Sequence, residues 1–238
     1  MEYIWIGLIV LGASLVKGIT GFGFALISLP PLMFWYSPKE LVPVLICSNL
    51  FASLVIVLQK KERRLVENGY RSLIVSGGLF TIVGALALKN LSENFLIDLM
   101  CIFFIVLSLL TLVGVKYTFP DGRRSKVMAG GLIGMLAGAI SISGPPLALF
   151  LHSAKVDNQQ FREIFAWFSI VTSAVALASY GFMGLLSLQT LSLTAAFIPI
   201  LYLGTFVGKR FNQYLSQDAF KRISVVITLL SSLMLLVQ

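Results

Sequence analysis

The sequence predicts an all-α integral membrane protein with eight hydrophobic segments arranged as two inverted repeats of four. Of the 238 residues, 58% are hydrophobic and only 12% are charged, which is about half the charged share of a soluble domain. Uncharged apolar runs of about 20 residues, the length that crosses a bilayer, recur along the whole chain. No stretch is left for a water-soluble catalytic domain, and this excludes a soluble enzyme.

Charged residues divide the apolar pattern into eight segments, and the last four overlay the first four after about 120 is subtracted. We therefore expect a first transmembrane repeat at 1–115, a cytoplasmic linker at 116–126 and a second repeat at 127–238. The segments are Tyr3 to Tyr36, Leu41 to Leu58, Ser72 to Leu88, Phe95 to Val115, Val127 to Leu151, Phe165 to Tyr180, Leu185 to Val207 and Ile223 to Val237.

The positions of the 18 Lys and Arg residues decide between two topologies. If all eight segments cross, the loops carry nine basic residues on one side and eight on the other, which gives no inside bias. If the first and fifth segments are broken, re-entrant hairpins, 15 basic residues fall inside and two outside, with Lys17 within a segment. This distribution satisfies the positive-inside rule and makes the second repeat an inverted copy of the first.

The first segment suits a hairpin because it is too long for one ordinary crossing and carries Gly18, Gly21 and Gly23 near its middle. A single long tilted helix is the alternative. Glycines at a spacing of four are more often helix-packing contacts than functional groups, and this interpretation applies to Gly130, Gly134 and Gly138 and to Gly204 and Gly208.

Both hairpins carry distinctive sequence, KGITGFGFALISLPP from Lys17 and GAISISGPPLALF from Gly138. Non-helical backbone at membrane depth is tolerated only inside protein or beside a wet cavity, so we expect both turns to meet inside the molecule. Half-helices that start near Gly21 and Pro145 would present free N–H groups and positive dipole ends, which favour an anion.

Lys17 is the charged side chain that lies deep within an apolar segment. Burying it costs about 2.5 to 3.5 kcal/mol on insertion scales. The segments contain no Asp or Glu except Asp98, near the start of the fourth, so a bound anion is the natural counter-charge. The alternative is that Lys17 snorkels to an interface.

Other polar residues at similar depth extend the candidate site. Asn49 and Ser169 lie 120 positions apart, as expected for a site on the repeat axis, although helix–helix hydrogen bonds also explain such residues. His152 is interpreted as an interfacial cap rather than a proton relay. The full set of proposed anion-binding residues is Lys17, Thr20, Gly21, Gly23, Asn49, Ser141, Ser143, Gly144, Pro145 and Ser169.

Several functions find no support in the sequence. Cys47 and Cys101 lie inside apolar segments and are interpreted as buried hydrophobes. No metal-ligand spacing, phosphate-binding glycine loop or nucleophile beside a base is present, so no metal, cofactor or catalysis is expected. The net charge is +8, and the basic residues lie in short loops, where positive charge sets the orientation of the protein in the membrane. The expected partners are therefore a small anion and the bilayer rather than nucleic acid. A homodimer is one possible assembly of the protein.

The two hairpins, KGITGFGFALISLPPL and GLIGMLAGAISISGPPLALFL, resemble the paired glycine-rich signatures of the sulfite exporter TauE/SafE family. The resemblance covers the whole chain in length, segment number and division into halves. It implies a multi-pass permease of a prokaryotic plasma membrane that exports sulfite or organosulfonates. By motif position it assigns Gly21, Gly23, Ser143, Gly144 and Pro145 to the site.

These observations together favour an alternating-access anion permease with its site near the membrane midplane. An anion channel that uses the same donors is one alternative. A membrane scaffold without a substrate, in which the glycines only pack helices, is the other.

Overall fold

The computed structural model describes residues 2–20, 23–58, 68–113, 122–154, 156, 158–211 and 217–236, and these ranges contain ten α-helices and no strand. The all-α prediction is confirmed for this part of the chain. The helices are α1 Glu2–Thr20, α2 Phe24–Leu32, α3 Pro38–Leu58, α4 Asn68–Asn90, α5 Glu93–Val113, α6 Arg123–Ile140, α7 Gly144–Ser153, α8 Asn158–Met183, α9 Leu188–Phe211 and α10 Gln217–Leu236.

Helix length and composition support a membrane location. Four spans in the described ranges are long and apolar enough to cross a bilayer, within α1, α4, α8 and α9. One face of α5 exposes an apolar row that soluble proteins rarely leave in water. The row consists of Phe95, Leu99, Ile102, Val106 and Leu109.

The first and fifth predicted segments are both broken into two helices. α1 ends at Thr20 and α2 begins at Phe24, so the alternative of one long tilted helix is wrong. Gly18, one of the three glycines that the sequence places near the break, lies inside α1. With 9 and 10 residues, α2 and α7 are too short to span a bilayer, which requires about 20.

Three pairs of helix starts are separated by 120 residues, the offset at which the two predicted repeats overlay. Phe24 and Gly144 begin α2 and α7, Pro38 and Asn158 begin α3 and α8, and α4 and α9 begin at positions 68 and 188. Several helices begin before their apolar segments, because a helix continues into the membrane interface where polar side chains are tolerated. α8, for example, begins seven residues before Phe165.

Two compact units divide the chain, and each combines residues from both predicted repeats. The first compact unit contains residues 1–45, 91–115 and 188–238, and therefore α1, α2, α5, α9 and α10. The second compact unit contains residues 46–90 and 116–187, and therefore α4, α6, α7 and α8. The boundary between 45 and 46 falls within α3.

In the second compact unit, α4 and α6 pack through glycines. A Cβ atom at Gly130, Gly134 or Gly138 would overlap the backbone of α4 at Leu73, Gly77 or Thr81 respectively. Each contact advances four residues along both helices, so α4 and α6 run parallel. Thr81 Oγ1 donates across the interface to the carbonyl oxygen of Gly134 at 3.1 Å.

α8 runs in the same direction as α4 and α6. Gly77 of α4 lies against the Phe168 ring, and a Cβ at Gly78 would lie 3.0 Å from Val171 and 3.8 Å from Val175. Near the other end of α8, the Tyr180 hydroxyl reaches Gly138 near the end of α6.

α7 leads the chain back from the end of α6 to the start of α8. Since α6 and α8 are parallel and consecutive, the connection between them must return along their length. The buried cluster that α7 forms with the other helices lies toward the start of α8. Its members are Leu73, Ile74, Ile133, Leu147, Phe150, Leu151, Ile164 and Phe168.

In the first compact unit, α1 and α9 pack in the same manner. A Cβ at Gly204 would meet Leu11 and Ser14, and one at Gly208 would meet Leu15 and Gly18. Both helices again advance by four residues and run parallel. The interpretation of the spaced glycines as packing contacts is confirmed for both units.

Candidate functional site

The first break places a helix N-terminus directly after a left-handed residue. Gly23 has φ 94° and ψ −1°, a conformation that favours glycine because a Cβ would be strained. The Ile27 N–H donates to the Gly23 carbonyl at 3.1 Å and closes the first turn of α2. The N–H groups of that first turn have no carbonyl partner within the helix, so they can receive an anion. Gly21 and the side chain of Thr20 lie outside the described part of the chain.

Lys17 lies beside this helix start. Its side chain is 4% exposed, and Nζ is 5.7 Å from the centroid of the Phe24 ring, the first residue of α2. Gly23 contacts the neighbouring Val16, since a Cβ there would lie 3.9 Å from Val16 Cγ1. The break thus combines a buried ammonium group with the positive end of a helix dipole, which is a suitable environment for a negative charge.

The second break has a different set of groups. Ser141 is left-handed with φ 58°, and its N–H donates to the Ala137 carbonyl at 2.9 Å as α6 ends. Ser143 precedes α7 and forms no side-chain cap. Both serines are buried, at 8% and 6% exposure, and Pro145 beside them is buried too.

Two prolines limit the amide donors of α7. The helix begins at Gly144, with Pro145 and Pro146 in its first turn as the sequence predicts. Proline has no N–H, so the expected free amides of this half-helix reduce to that of Gly144. The hydroxyls of Ser141 and Ser143 are therefore the main donors at the second break.

Asn49 and Ser169 occupy equivalent places in their helices. Asn49 follows Pro38, the start of α3, by 11 residues, and Ser169 follows Asn158, the start of α8, by the same number. Asn49 is half-buried, whereas Ser169 is fully buried. Both belong to the second compact unit, together with the second break.

Buried hydroxyls differ in their partners. Several donate to the carbonyl one turn earlier, as Ser14, Ser28, Thr172, Ser179 and Thr194 do at 2.6–2.8 Å. Five have buried oxygens with no hydrogen-bond partner within the described ranges. These open hydroxyls belong to Ser48, Ser141, Ser169, Thr205 and Ser232.

The open hydroxyls include two residues predicted from the sequence and three that sequence reasoning missed. Ser141 and Ser169 belong to the proposed set, whereas Ser48, Thr205 and Ser232 do not. In the sequence these three look like ordinary small polar residues of a membrane helix. The adjacency of Ser48 to Asn49 is the one signal that marked any of them.

His152 lies at the end of α7 and is exposed. Its ring is 5.7 Å from that of Phe161, which stacks on Phe165 at 6.0 Å. In the described ranges, no group of three His, Cys, Asp or Glu residues could hold a metal ion.

The structure thus places Lys17 and Gly23 at the first break and Ser141, Ser143, Gly144 and Pro145 at the second. Comparison with known protein families gives a match to the sulfite exporter TauE/SafE family over residues 6–235. No curated protein and no solved structure matches the chain. Since the family match covers nearly all of the 238 residues, the chain belongs to the sulfite exporter TauE/SafE family.

Proposed function

We propose that the protein exports small sulfur oxyanions, such as sulfite or organosulfonates, across a prokaryotic plasma membrane. The burial of Lys17 beside the first turn of α2 is the observation that carries the proposal. A buried ammonium group beside the positive end of a helix dipole makes this break locally positive, which favours a bound anion. Membership of an exporter family gives independent support.

The oxyanion binds at the first break, where Lys17 supplies charge and the first-turn amides of α2 supply donors. On the repeat argument, Ser141, Ser143, Gly144 and Pro145, and the equivalent pair Asn49 and Ser169, are proposed as further anion-binding residues. Thr20, Gly21 and Gly23 complete the set at the first break.

Transport follows from an inverted repeat with re-entrant hairpins. The return of α7 between parallel α6 and α8 supports a hairpin for the fifth segment. The loop charges, 15 inside and two outside, support the same topology. In such transporters, rigid bodies rock around a fixed site and expose it alternately to each side.

The membrane potential sets the direction. With an inside-negative potential, each negative charge that moves outward gains about 2.3 kcal/mol per 100 mV, so an anion uniporter exports without a second ion. Intramembrane carboxylates are common in proton-coupled transporters, whereas the one acidic residue within the eight segments, Asp98, lies near the start of the fourth.

Efflux of radiolabelled sulfite from proteoliposomes tests the proposal. We expect flux that saturates with internal sulfite and is inhibited by sulfoacetate. Flux that rises linearly would indicate an anion channel. Flux equal to that of protein-free vesicles, for sulfite, sulfoacetate, taurine and thiosulfate alike, would reject a transporter of this class.

A further inference from the structure

Two open hydroxyls of the first compact unit, those of Thr205 and Ser232, belong to no motif and to no predicted site. Ser232 is fully buried on α10, and Thr205 Oγ1 is buried on α9. Neither hydroxyl has a hydrogen-bond partner within the described part of the chain.

The lack of a partner is informative because a serine or threonine in a helix can usually form a hydrogen bond within that helix. A rotation about χ1 brings such a hydroxyl to the carbonyl one turn earlier. Thr194, also on α9, donates to Thr190 in this way at 2.7 Å, and Thr228 of α10 donates to the Leu26 carbonyl at 3.1 Å. Buried hydroxyls without any partner are costly, so those that stay open mark places where another group supplies the acceptor.

Both hydroxyls lie on helices that pack against the two sides of the first break. Gly204 and Gly208 flank Thr205 and contact α1 between Leu11 and Gly18, the stretch that contains Lys17. Ser232 follows by one turn on α10 after Thr228, which bonds to α2.

We propose that Thr205 and Ser232 donate hydrogen bonds to the oxyanion at the first break and complete its site together with Lys17. The inference rests on the proposed function and adds two residues to it. Hydroxyl donors on two different helices suit an anion with several acceptor oxygens, such as a sulfite or sulfonate group, better than a halide of the same charge. The site then uses α9 and α10 from the second half of the chain, in agreement with the composition of the first compact unit.

Isosteric variants with matched controls test this inference. Thr205→Val and Ser232→Ala each remove an open hydroxyl. Thr194→Val is the control, because the Thr194 hydroxyl, also on α9, is bonded to the Thr190 carbonyl. Calorimetry in detergent gives the Kd for sulfite, and a thermal melt gives the apparent Tm. We expect Thr205→Val and Ser232→Ala each to weaken binding at least tenfold without a lower Tm, because a hydrogen bond to a charged acceptor is lost. Thr194→Val should keep the Kd and lower the Tm.

Thr205→Ser separates the hydroxyl from the methyl group and should bind sulfite nearly as the wild type does. Wild-type affinity in both Thr205→Val and Ser232→Ala would overturn the inference and leave the proposed function intact. So would equal losses in Thr205→Val and Thr205→Ser, since packing would then be the cause. Absence of sulfite and sulfonate binding in the wild type would instead reject the proposed function, and the inference with it.

Discussion

The hydroxyl of Tyr180 donates a 2.6 Å hydrogen bond to the carbonyl oxygen of Gly138, three residues before the left-handed Ser141. Tyr180 is fully buried near the end of α8, and Gly138 lies in the last turn of α6. Carbonyls in a last turn lack intrahelical partners, so this bond satisfies one that the break leaves open. α8 therefore anchors the end of α6 at the second break.

Loss of this bond should destabilise the protein. Tyr180→Phe keeps the ring but leaves a buried carbonyl without its donor, which costs about 1–3 kcal/mol. A lower apparent Tm in detergent is expected. Tyr202→Phe is the control, because Tyr202 is 49% exposed and its Tm should stay at the wild-type value. Equal Tm values for the two variants would show that the Tyr180 bond contributes nothing.

Glycine at the interface between α4 and α6 should be required. Gly134→Ala places a methyl group against the backbone of Gly77, and two helix backbones must then separate. Gly12→Ala of α1 is the matched control, since nothing lies within 4 Å of a Cβ there. It should be neutral or stabilising by about 0.5–1 kcal/mol, because alanine favours the helix. A thermal melt that ranks Gly134→Ala at or above Gly12→Ala would contradict the close packing.

The sequence predicts the helices and the two breaks because hydrophobic length, glycine and proline are local signals. The offset of 120 that the segment pattern predicts is also the separation of three pairs of helix starts. Residue identities at that offset are few, and Gly84 with Gly204 is one of them. The structure nevertheless gives Gly84 and Gly204 the same role, close contact with a parallel helix.

The grouping of helices into compact units could not be predicted. Hydropathy indicates which residues face away from water, but it does not indicate which helices pack together. No local pattern in the sequence therefore predicts that α6 packs on α4. The same limit applies to the site. Lys17 stands out because a charge in an apolar run is rare, whereas Thr205 and Ser232 differ from other hydroxyls only in their unmade hydrogen bonds.

Cysteine labelling in intact cells tests the hairpin topology. In a background without Cys47 and Cys101, we expect Gly122→Cys and Ala154→Cys to be inaccessible to an impermeant thiol reagent added outside, and Gln189→Cys to react. This result would place both ends of the α6–α7 hairpin on the cytoplasmic side of the membrane. Labelling of Ala154→Cys from outside, combined with protection of Gln189→Cys, would mean that the fifth segment crosses fully.

Removal of the Lys17 charge should abolish anion binding without loss of folding. Lys17→Met deletes a buried charge whose insertion costs about 3 kcal/mol, so expression should be equal or higher. Lys17→Arg should retain part of the affinity, because a planar fork replaces a point charge. Lys89→Met, an exposed position, should bind sulfite as the wild type does. If Lys17→Met transports sulfite at the wild-type rate, the Lys17 charge does not belong to the anion site.

Voltage alone should drive the accumulation of a monoanion. The proposed site has one fixed positive charge and hydroxyl and amide donors, so a cation there would meet Lys17 and a positive helix end with nothing to offset them. Sodium and simple amines should therefore not be transported. For a sulfonate monoanion, 100 mV corresponds to about 2.3 kcal/mol and biases the equilibrium distribution roughly 50-fold. Proteoliposomes with a potassium–valinomycin potential and no pH or sodium gradient should reach this ratio. Accumulation that instead requires a pH gradient at zero voltage would exclude uniport and indicate coupling to a proton, carried by His152 or by the substrate itself.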